Sequence, residues 1–158
     1  MTAEFTFKLE TFERKMVQEL KDALFDANEL IAEFVKGKAI EKCPVGHGPQ
    51  AGELRRSIDY ENLSWEGFDF VAKEPYAIFV EMNTKPHEIK PKNGKALAWG
   101  KEIGTTKDGK IMRENVAKSV FHPGTQAQPF MLPAINENKD KIIKKYNEVI
   151  FSNLKQVK

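Results

Sequence analysis

The sequence has one cysteine, Cys43, among 158 residues, so it cannot form an intrachain disulfide. This excludes a small secreted scaffold held together by disulfides. Long apolar runs are also missing: the stretch Tyr76–Val80 is far shorter than the roughly 18 residues that cross a bilayer, so we expect no membrane span. The first ten residues carry acids where a secretory signal carries basic residues and an apolar segment. We therefore expect synthesis and folding in the cytoplasm.

A strong net charge is lacking as well, since 25 basic and 23 acidic side chains leave only +2. A dedicated nucleic-acid binder has a larger basic excess. The charge is nevertheless divided: residues 1–81 hold 10 basic and 16 acidic side chains, whereas residues 82–158 hold 15 and 7. Either the molecule has two faces of opposite sign, through which copies stack or form rings, or the halves mix in space and cancel.

What the chain does contain is typical of one folded domain spanning residues 1–158. Hydrophobic residues make up 41% of the sequence, and Phe, Trp and Tyr contribute 11, 2 and 3 residues. This composition excludes a disordered tail, and the length suits a single core. No internal repeat or low-complexity linker divides the chain, so we predict a single domain.

Apolar spacing predicts a long helix from Thr11, a plausible N-cap, to Lys42, just before Pro44. Its stripe follows the helical period: Phe12, Met16, Leu20, Ala23, Ala27, Leu30 and Phe34. At about 1.5 Å per residue this helix outreaches the core of so small a domain, so we expect part of the stripe to pack on another subunit. A second helix is predicted from Leu132 or Pro133 to about Gln156.

Between the helices, the pattern favours strands and turns. We predict a hairpin of Leu54–Tyr60 and the segment around Phe68–Ala72, joined through Trp65-Glu66-Gly67. The stretch after Pro75 fits a buried strand or a short helix, and we favour the helix. Residues 84–121 are predicted to form a projecting β-hairpin arm, with two-residue turns at Asn93-Gly94 and Asp108-Gly109 and strands His87–Lys92, Lys95–Trp99 and Lys110–Phe121.

These elements define an α+β fold. It has a long N-terminal helix, an antiparallel sheet with the projecting arm, and a C-terminal helix packed on the sheet. The arm is Lys-rich, and residues 83–121 hold 9 basic and 4 acidic side chains. Such an arm suits docking on a protein and, as an alternative, tracking along DNA.

Each motif that suggests catalysis or ligand binding lacks a residue or a neighbour that its chemistry requires. Gly104–Lys110 fits part of a phosphate-binding loop, but Ile111 replaces the hydroxyl residue that ligates magnesium, so a hairpin turn is favoured. A zinc site would need Cys43 and all three histidines to converge, and a nucleophilic site would need a histidine beside Cys43 or Ser57. We predict no catalytic, cofactor or metal residues. Arg55 and Arg56, on a predicted strand, would point to opposite faces and bind a phosphate, a partner carboxylate or neither.

Four stretches taken together resemble a known family. They are Cys43-Pro44-Val45 leading to Gly52-Glu53-Leu54-Arg55-Arg56-Ser57-Ile58; Tyr76-Ala77 leading to Val80-Glu81-Met82-Asn83-Thr84; Lys95-Ala96-Leu97; and His122-Pro123-Gly124-Thr125 leading to Gln128-Pro129-Phe130 and Pro133-Ala134. Their order and spacing resemble the small tail-component family of tailed bacteriophages and prophages, described as tail-completion or head–tail joining proteins. The resemblance covers about residues 35 to 135.

The resemblance implies a virion structural protein without catalysis, made in the bacterial host cytoplasm and located in the tail or neck. It implies a homo-oligomer, with a ring of six as one copy number, in contact with portal-connector and tail proteins. DNA would pass through without sequence-specific binding, and no membrane is involved. A tail terminator, or another neck or minor capsid component, is the alternative. The motif residues are Cys43, Pro44, Gly52, Leu54, Arg55, Ser57, Tyr76, Glu81, Asn83, Thr84, His122, Pro123, Gly124, Thr125, Pro129 and Phe130.

Two departures from the family pattern are visible. Asn83 stands where the family has glycine, and asparagine is the other residue that best tolerates a left-handed backbone. The loop after Val45 is longer than usual. We expect Gly52, Asn83, Pro123 and Gly124 to shape turns, and we expect Tyr76, Phe79, Phe130 and Leu132 to fill the core.

Overall fold

The computed structural model describes the backbone of residues 2–47 and 50–154, and the side chains of these residues from residue 11 onward. The elements in chain order are α1 (Thr2–Lys42), α2 (Glu53–Ser57), β1 (Ile58–Ser64), β2 (Gly67–Ala72), α3 (Ala77–Met82), β3 (His87–Ile89), β4 (Leu97–Thr105), β5 (Ile111–Ala117), β6 (Val120–His122), α4 (Met131–Asn136) and α5 (Lys139–Leu154). The predicted α+β class is confirmed. It combines a long N-terminal helix, antiparallel strand pairs and a C-terminal helix.

The first helix is longer than predicted, because it begins at Thr2 rather than Thr11. Residues 2–10 contain neither glycine nor proline, so nothing in the sequence stops the helix at a cap. Gly37 also lies inside the helix without interrupting it. The predicted end at Lys42 is confirmed.

The core lies against the C-terminal half of α1. Ile31, Val35 and Ala39 of this helix, and Cys43 directly after it, are buried with residues of α2, β1, α3 and α4. Three polar contacts fix the β1–β2 hairpin against α1: the Asn28 side chain donates to the Ser64 carbonyl, Tyr60 donates to Glu33, and Lys36 pairs with Asp59.

The hairpin of β1 and β2 is confirmed, with Ile58 opposite Ala72 and Tyr60 opposite Phe70. The predicted strand start at Leu54 is wrong, since residues 53–57 form the short helix α2. Leu54 and Ile58 are both buried, and their spacing of four suits a helical turn as well as a strand face. Gly52, at φ 82°, turns the chain into this helix. The short helix predicted after Pro75 is confirmed as α3.

The arm differs from the predicted meander. Its strands pair as β3 with β6 and β4 with β5, in separate two-stranded sheets. A turn that contains Asp108-Gly109 joins β4 and β5, as predicted, but it is not a two-residue turn. The Thr106 N–H donates to the Lys110 carbonyl, so three residues, 107–109, form the turn, and Asp108 does not have positive φ. Asn93-Gly94 is not a hairpin turn. A type I′ turn needs positive φ at both central residues, and neither Asn93 nor Gly94 has it. The strand β3 therefore pairs with the end of the arm rather than with β4.

The C-terminal helix is divided into α4 and α5. The break follows from Asn138, whose buried side chain donates to the Ala134 carbonyl and competes with the helical backbone pattern. The helix α5 packs mainly along α1, and α1 in turn packs on β1 and β2. The predicted contact of the C-terminal helix with the sheet is thus mediated by α1. The predicted end near Gln156 lies outside the described residues.

None of the helices in the described part of the chain combines the length and the apolar character needed to span a membrane.

Candidate functional site

A carboxylate of α3 caps the start of α4. The Glu81 side chain accepts hydrogen bonds from the backbone N–H groups of Phe130 (2.8 Å), Met131 (3.0 Å) and Leu132 (2.9 Å). The first N–H groups of a helix lack partners within the helix, and the residue at the N-cap position of α4, Phe130, makes no side-chain cap. Glu81 supplies this cap from another element. It therefore fixes where α4 begins relative to α3.

Phe130 anchors the same junction from the apolar side. Its ring is fully buried and belongs to the core cluster with Ala77 of α3 and Ala134 of α4. Fully burying a phenylalanine stabilises a fold by about 2–3 kcal/mol. Its backbone N–H, which would otherwise be an unpaired donor next to the core, is satisfied by Glu81. The motif residues Glu81 and Phe130 thus stabilise the same junction, Glu81 by hydrogen bonds and Phe130 by apolar packing.

A second junction joins the end of α3 to the segment after β6. Thr84 and Thr125 exchange backbone hydrogen bonds at 3.3 and 3.2 Å, and their hydroxyl oxygens lie 2.9 Å apart. Gly124, at φ 87°, sits so close to the Thr84 carbonyl that a Cβ would overlap it. The Gln128 N–H also donates to the Val80 carbonyl at 2.8 Å. Residues 124–128 are therefore bound along α3 and its C-terminus.

The histidines at the base of the arm form a stacked pair. His87 and His122 lie opposite each other in the β3–β6 register, with ring centroids 5.2 Å apart. His87 Nδ1 lies 2.9 Å from the Lys85 carbonyl, which can only accept, so this nitrogen donates. The Gly124 N–H donates to His122 Nδ1 at 3.0 Å, so this nitrogen accepts. Each ring therefore forms a hydrogen bond to the backbone of the neighbouring turn.

A third junction surrounds the end of α1. The Arg55 side chain donates through Nε to the Cys43 carbonyl at 2.6 Å, and the Gly52 N–H donates to the Val45 carbonyl at 2.7 Å. Cys43 itself is fully buried, and this burial raises the pKa of its thiol. A buried thiol with a raised pKa is a poor nucleophile. Arg55 acts on the backbone here rather than from a strand face, which corrects the strand-based prediction.

The second and third junctions, together with α3, border an open cavity of about 550 Å³. Its lining is mainly apolar, with amide and imidazole groups at intervals, and six motif residues contribute to it: Pro44, Leu54, Tyr76, Thr84, His122 and Thr125. The four stretches of the family pattern are separate in sequence, and three of them meet at this cavity. The fourth stretch, Lys95-Ala96-Leu97, lies in the arm.

Other motif residues do not line this cavity and shape the backbone nearby in the sequence. Ser57 donates to the Leu54 carbonyl at 2.8 Å and stabilises α2. Asn83 has φ 83° and ψ 170°, which confirms the positive φ expected at the glycine position of the family. Pro123 and Pro129 are exposed at the two ends of the segment that follows β6.

The described residues contain no group of three histidine, cysteine, aspartate or glutamate side chains arranged to hold a metal ion. All three histidines line the cavity, whereas Cys43 lies in the core. The segment Gly104–Lys110 forms the end of β4 and the turn of the β4–β5 hairpin, as the sequence favoured. The geometry of the cavity is suited to noncovalent contact through apolar surface, amides and imidazoles.

No family model, curated protein or solved structure matches the chain significantly. Function must therefore be inferred from the residues of the chain and their arrangement.

Three residues predicted to fill the core are instead exposed. Tyr76, Phe79 and Leu132 are 38%, 55% and 53% exposed, and only Phe130 of that group is buried. The α3 patch, defined here as Ile78, Phe79, Met82 and Leu132, is consequently an apolar surface beside the Glu81 cap. The prediction failed because apolar character does not say whether a residue packs within the chain or on a partner.

Sequence reasoning missed two functional groups. Glu81 was named only as a motif residue, but its carboxylate accepts the backbone hydrogen bonds that begin α4. Asp59 was assigned no role, yet Lys36 and Lys73 each approach one of its oxygens, at 2.9 and 3.0 Å. Hydrogen bonds from Lys36 and then Lys73 hold the pKa of the Asp59 carboxyl well below its usual range. Neither partnership leaves a local sequence signal, since the partners are 14 to 51 residues away.

Proposed function

We propose that this chain is a structural component of a phage or prophage virion that completes the tail or joins it to the head by oligomeric, ring-like assembly. The observation that carries the proposal is the convergence of the family-like stretches. Glu81, Thr84, Gly124 and Phe130 belong to stretches about 40 to 50 residues apart, and they form joined contacts between α3, the segment after β6 and α4.

The roles of these residues support a function without catalysis. Glu81 and Arg55 bind backbone groups, Thr84 and Thr125 pair with each other, and Gly124 permits a close backbone approach. These are contacts that hold a subunit in one shape. The proposed role requires neither a cofactor nor a metal ion.

Exposed apolar surface within the described residues supports assembly. The α3 patch, residues 12–20 of α1 and the β4–β5 hairpin all expose large apolar side chains. A two-stranded hairpin in water is at best marginally stable by itself, so β4–β5 is suited to lie against a neighbour. The proposed partners are copies of this chain, portal-connector proteins and tail proteins.

The distribution of charge on the arm suits a protein partner. The arm keeps an excess of basic side chains, but acidic ones are interspersed among them: Lys90 pairs with Glu88 at 2.8 Å and Arg113 with Glu102 at 3.4 Å. DNA would then pass the assembled ring without sequence-specific contact. The proposed location is the neck or tail of the virion, after synthesis in the cytoplasm of the host, and no membrane takes part.

Deletion of the coding region from the genome that carries it tests the proposal. After induction, electron microscopy is expected to show DNA-filled heads and unattached tails, and supplying the chain in trans should restore joined particles. Supplying the exposed-turn variant Lys107→Ala should restore them equally. Tails of irregular length would favour the tail-terminator alternative. Joined, infectious particles in normal number without the chain would contradict a role in the virion.

A further inference from the structure

Residues 12–20 of α1 carry an apolar surface that the described residues of the chain leave exposed. Phe12, Met16, Val17 and Leu20 are between 41% and 59% exposed, whereas Ala23, the next residue of the stripe, is 1% exposed. The uncovered surface therefore begins where the core ends. Leu154, at the end of α5, borders it, and the two helices enclose a groove of about 550 Å³ there.

The shape of this surface suits a second helix of the same kind. Phe12, Met16 and Leu20 follow one another at intervals of four, so they form a single ridge along the helix. Two such ridges interdigitate when helices cross at about 50°. If two copies of α1 run antiparallel with Val17 at the centre, Met16 and Leu20 of one copy each lie between two ridge residues of the other, and Phe12 lies at the end of the contact, beside Leu20 of the other copy. The three apolar knobs then alternate along the contact.

The charges beside the ridge select the same alignment. With Val17 at the centre, Glu13 lies opposite Lys21 of the second copy, and Lys15 lies opposite its Glu19. Each of these unlike pairs occurs twice, because the arrangement is symmetric. A parallel alignment in register would instead place Glu13 against Glu13 and Lys21 against Lys21. The charges of one helix are therefore complementary to those of a second copy that runs antiparallel, as an interface between two identical helices requires.

Three of these charged side chains also make contacts within the chain. Lys15 Nζ lies 3.7 Å from Glu19, one helical turn away, and a partner would extend this pair into a network. Lys21 Nζ lies 4.8 Å from the centroid of the Trp65 ring at the end of the β1–β2 hairpin. The Lys21 ammonium therefore also contacts the hairpin of its own chain.

We propose that two copies of this chain pair antiparallel through residues 12–21 of α1, with Val17 at the twofold axis. The contact is short, because Ala23 is already covered, and small interfaces are weak and reversible. Such a contact is isologous and closes at two copies, so it does not by itself build a ring. The proposal describes the free chain and does not depend on the proposed role in a virion.

Charge exchange tests the alignment. Glu13→Lys and Lys21→Glu each place like charges opposite one another twice, and each should raise the dimer dissociation constant about fivefold in sedimentation or light scattering. The double variant, and an equimolar mixture of the two single variants, restore unlike pairs and should return the dissociation constant to near that of the parent. Glu29→Lys changes the charge equally on the opposite side of α1 and should have little effect.

Two results would overturn the proposal. One is a parent protein that stays monomeric over the whole concentration range. The other is a mixture of the single variants that associates no better than either alone.

Cross-linking tests the position of the axis independently. Cys43 is fully buried, so Val17→Cys introduces an accessible thiol close to its copy in the second chain. A short bismaleimide should convert this variant to covalent dimer. Gln18→Cys, one residue along the helix and pointing away from the ridge, should react little. Equal yields from the two variants would contradict a contact centred on Val17.

Discussion

The Glu81 carboxylate accepts the backbone N–H of Phe130, 49 residues later in the chain, at 2.8 Å. The same carboxylate accepts hydrogen bonds from the N–H groups of Met131 and Leu132, so one side chain determines where α4 begins. Because a hydrogen bond to a charged group contributes more than a neutral one, this contact is a main support of the junction between α3 and α4.

Replacing Glu81 with alanine should therefore destabilise the fold markedly. The substitution leaves three N–H groups without their acceptor, and we expect the free energy of unfolding to fall by about 2–4 kcal/mol. Urea unfolding followed by circular dichroism measures this change. Glu66→Ala, at the exposed turn between β1 and β2, should change it by less than about 0.5 kcal/mol. Similar midpoints for the two variants would show that the cap contributes little.

Gly124 and Gly109 provide a matched comparison of backbone strain and crowding. Both have positive φ, 87° and 77°, but only at Gly124 would a Cβ overlap backbone atoms, those of Thr84, Lys85 and Pro86. Gly109→Ala should cost about 1 kcal/mol for the left-handed conformation alone. Gly124→Ala should cost more than about 3 kcal/mol, and Gly124→Val at least as much, because the Thr84–Thr125 junction must separate. Thermal melting distinguishes the two, and equal melting temperatures would contradict the close approach at Gly124.

Asn83 occupies a backbone region that is almost restricted to glycine. Its φ of 83° and ψ of 170° are strained for a residue with a side chain. Asn83→Gly should therefore stabilise the protein by about 1 kcal/mol, even after the added entropy of the unfolded chain. Asn62, at φ 52°, lies where asparagine is tolerated, so Asn62→Gly should give no gain. A loss of stability in Asn83→Gly, measured by urea unfolding, would overturn this interpretation.

The ion pairs of Asp59 predict how stability depends on pH. Hydrogen bonds from Lys36 and Lys73 lower the pKa of Asp59, and Asp59 raises the pKa of both lysines. A lowered carboxyl pKa stabilises the fold fully above the value of the unfolded chain, about 4, and this stabilisation is lost as the pH falls below it. The raised lysine pKa values preserve the pairs until the ammonium groups lose their protons, at alkaline pH. The difference in urea midpoint between the parent and Asp59→Asn should be largest near pH 7 and shrink by pH 2; a constant difference would contradict it.

Periodicity and turn chemistry predicted much of the fold. The long apolar stripe predicted that α1 is a helix, Pro44 predicted its end at Lys42, and Asp108-Gly109 predicted the position of the turn between β4 and β5. The positive φ of Gly124 was also predictable, because glycine readily adopts it. Asn83 has the expected positive φ, but its ψ of 170° lies outside the left-handed region that asparagine tolerates, and the sequence did not indicate this.

The core and the pairing of the arm were not predictable in the same way. Phe79 and Leu132 are as apolar as Phe130, but only the last is buried, since burial depends on which elements meet. Asn93-Gly94 has the sequence of a hairpin turn. However, β3 pairs with β6, about 30 residues away, and this pairing prevents β3 from forming a hairpin with β4. The role of Glu81 depends equally on a partner distant in sequence.

The central claim, a place at the junction of head and tail, is tested most directly by locating the chain in purified virions. Virions are prepared from the phage or prophage that encodes the chain, and an epitope-tagged copy is labelled with gold and viewed by electron microscopy. The account predicts gold at the neck or the adjoining end of the tail, in a fixed number of copies per particle. Particles that are complete, infectious and free of the chain would contradict it.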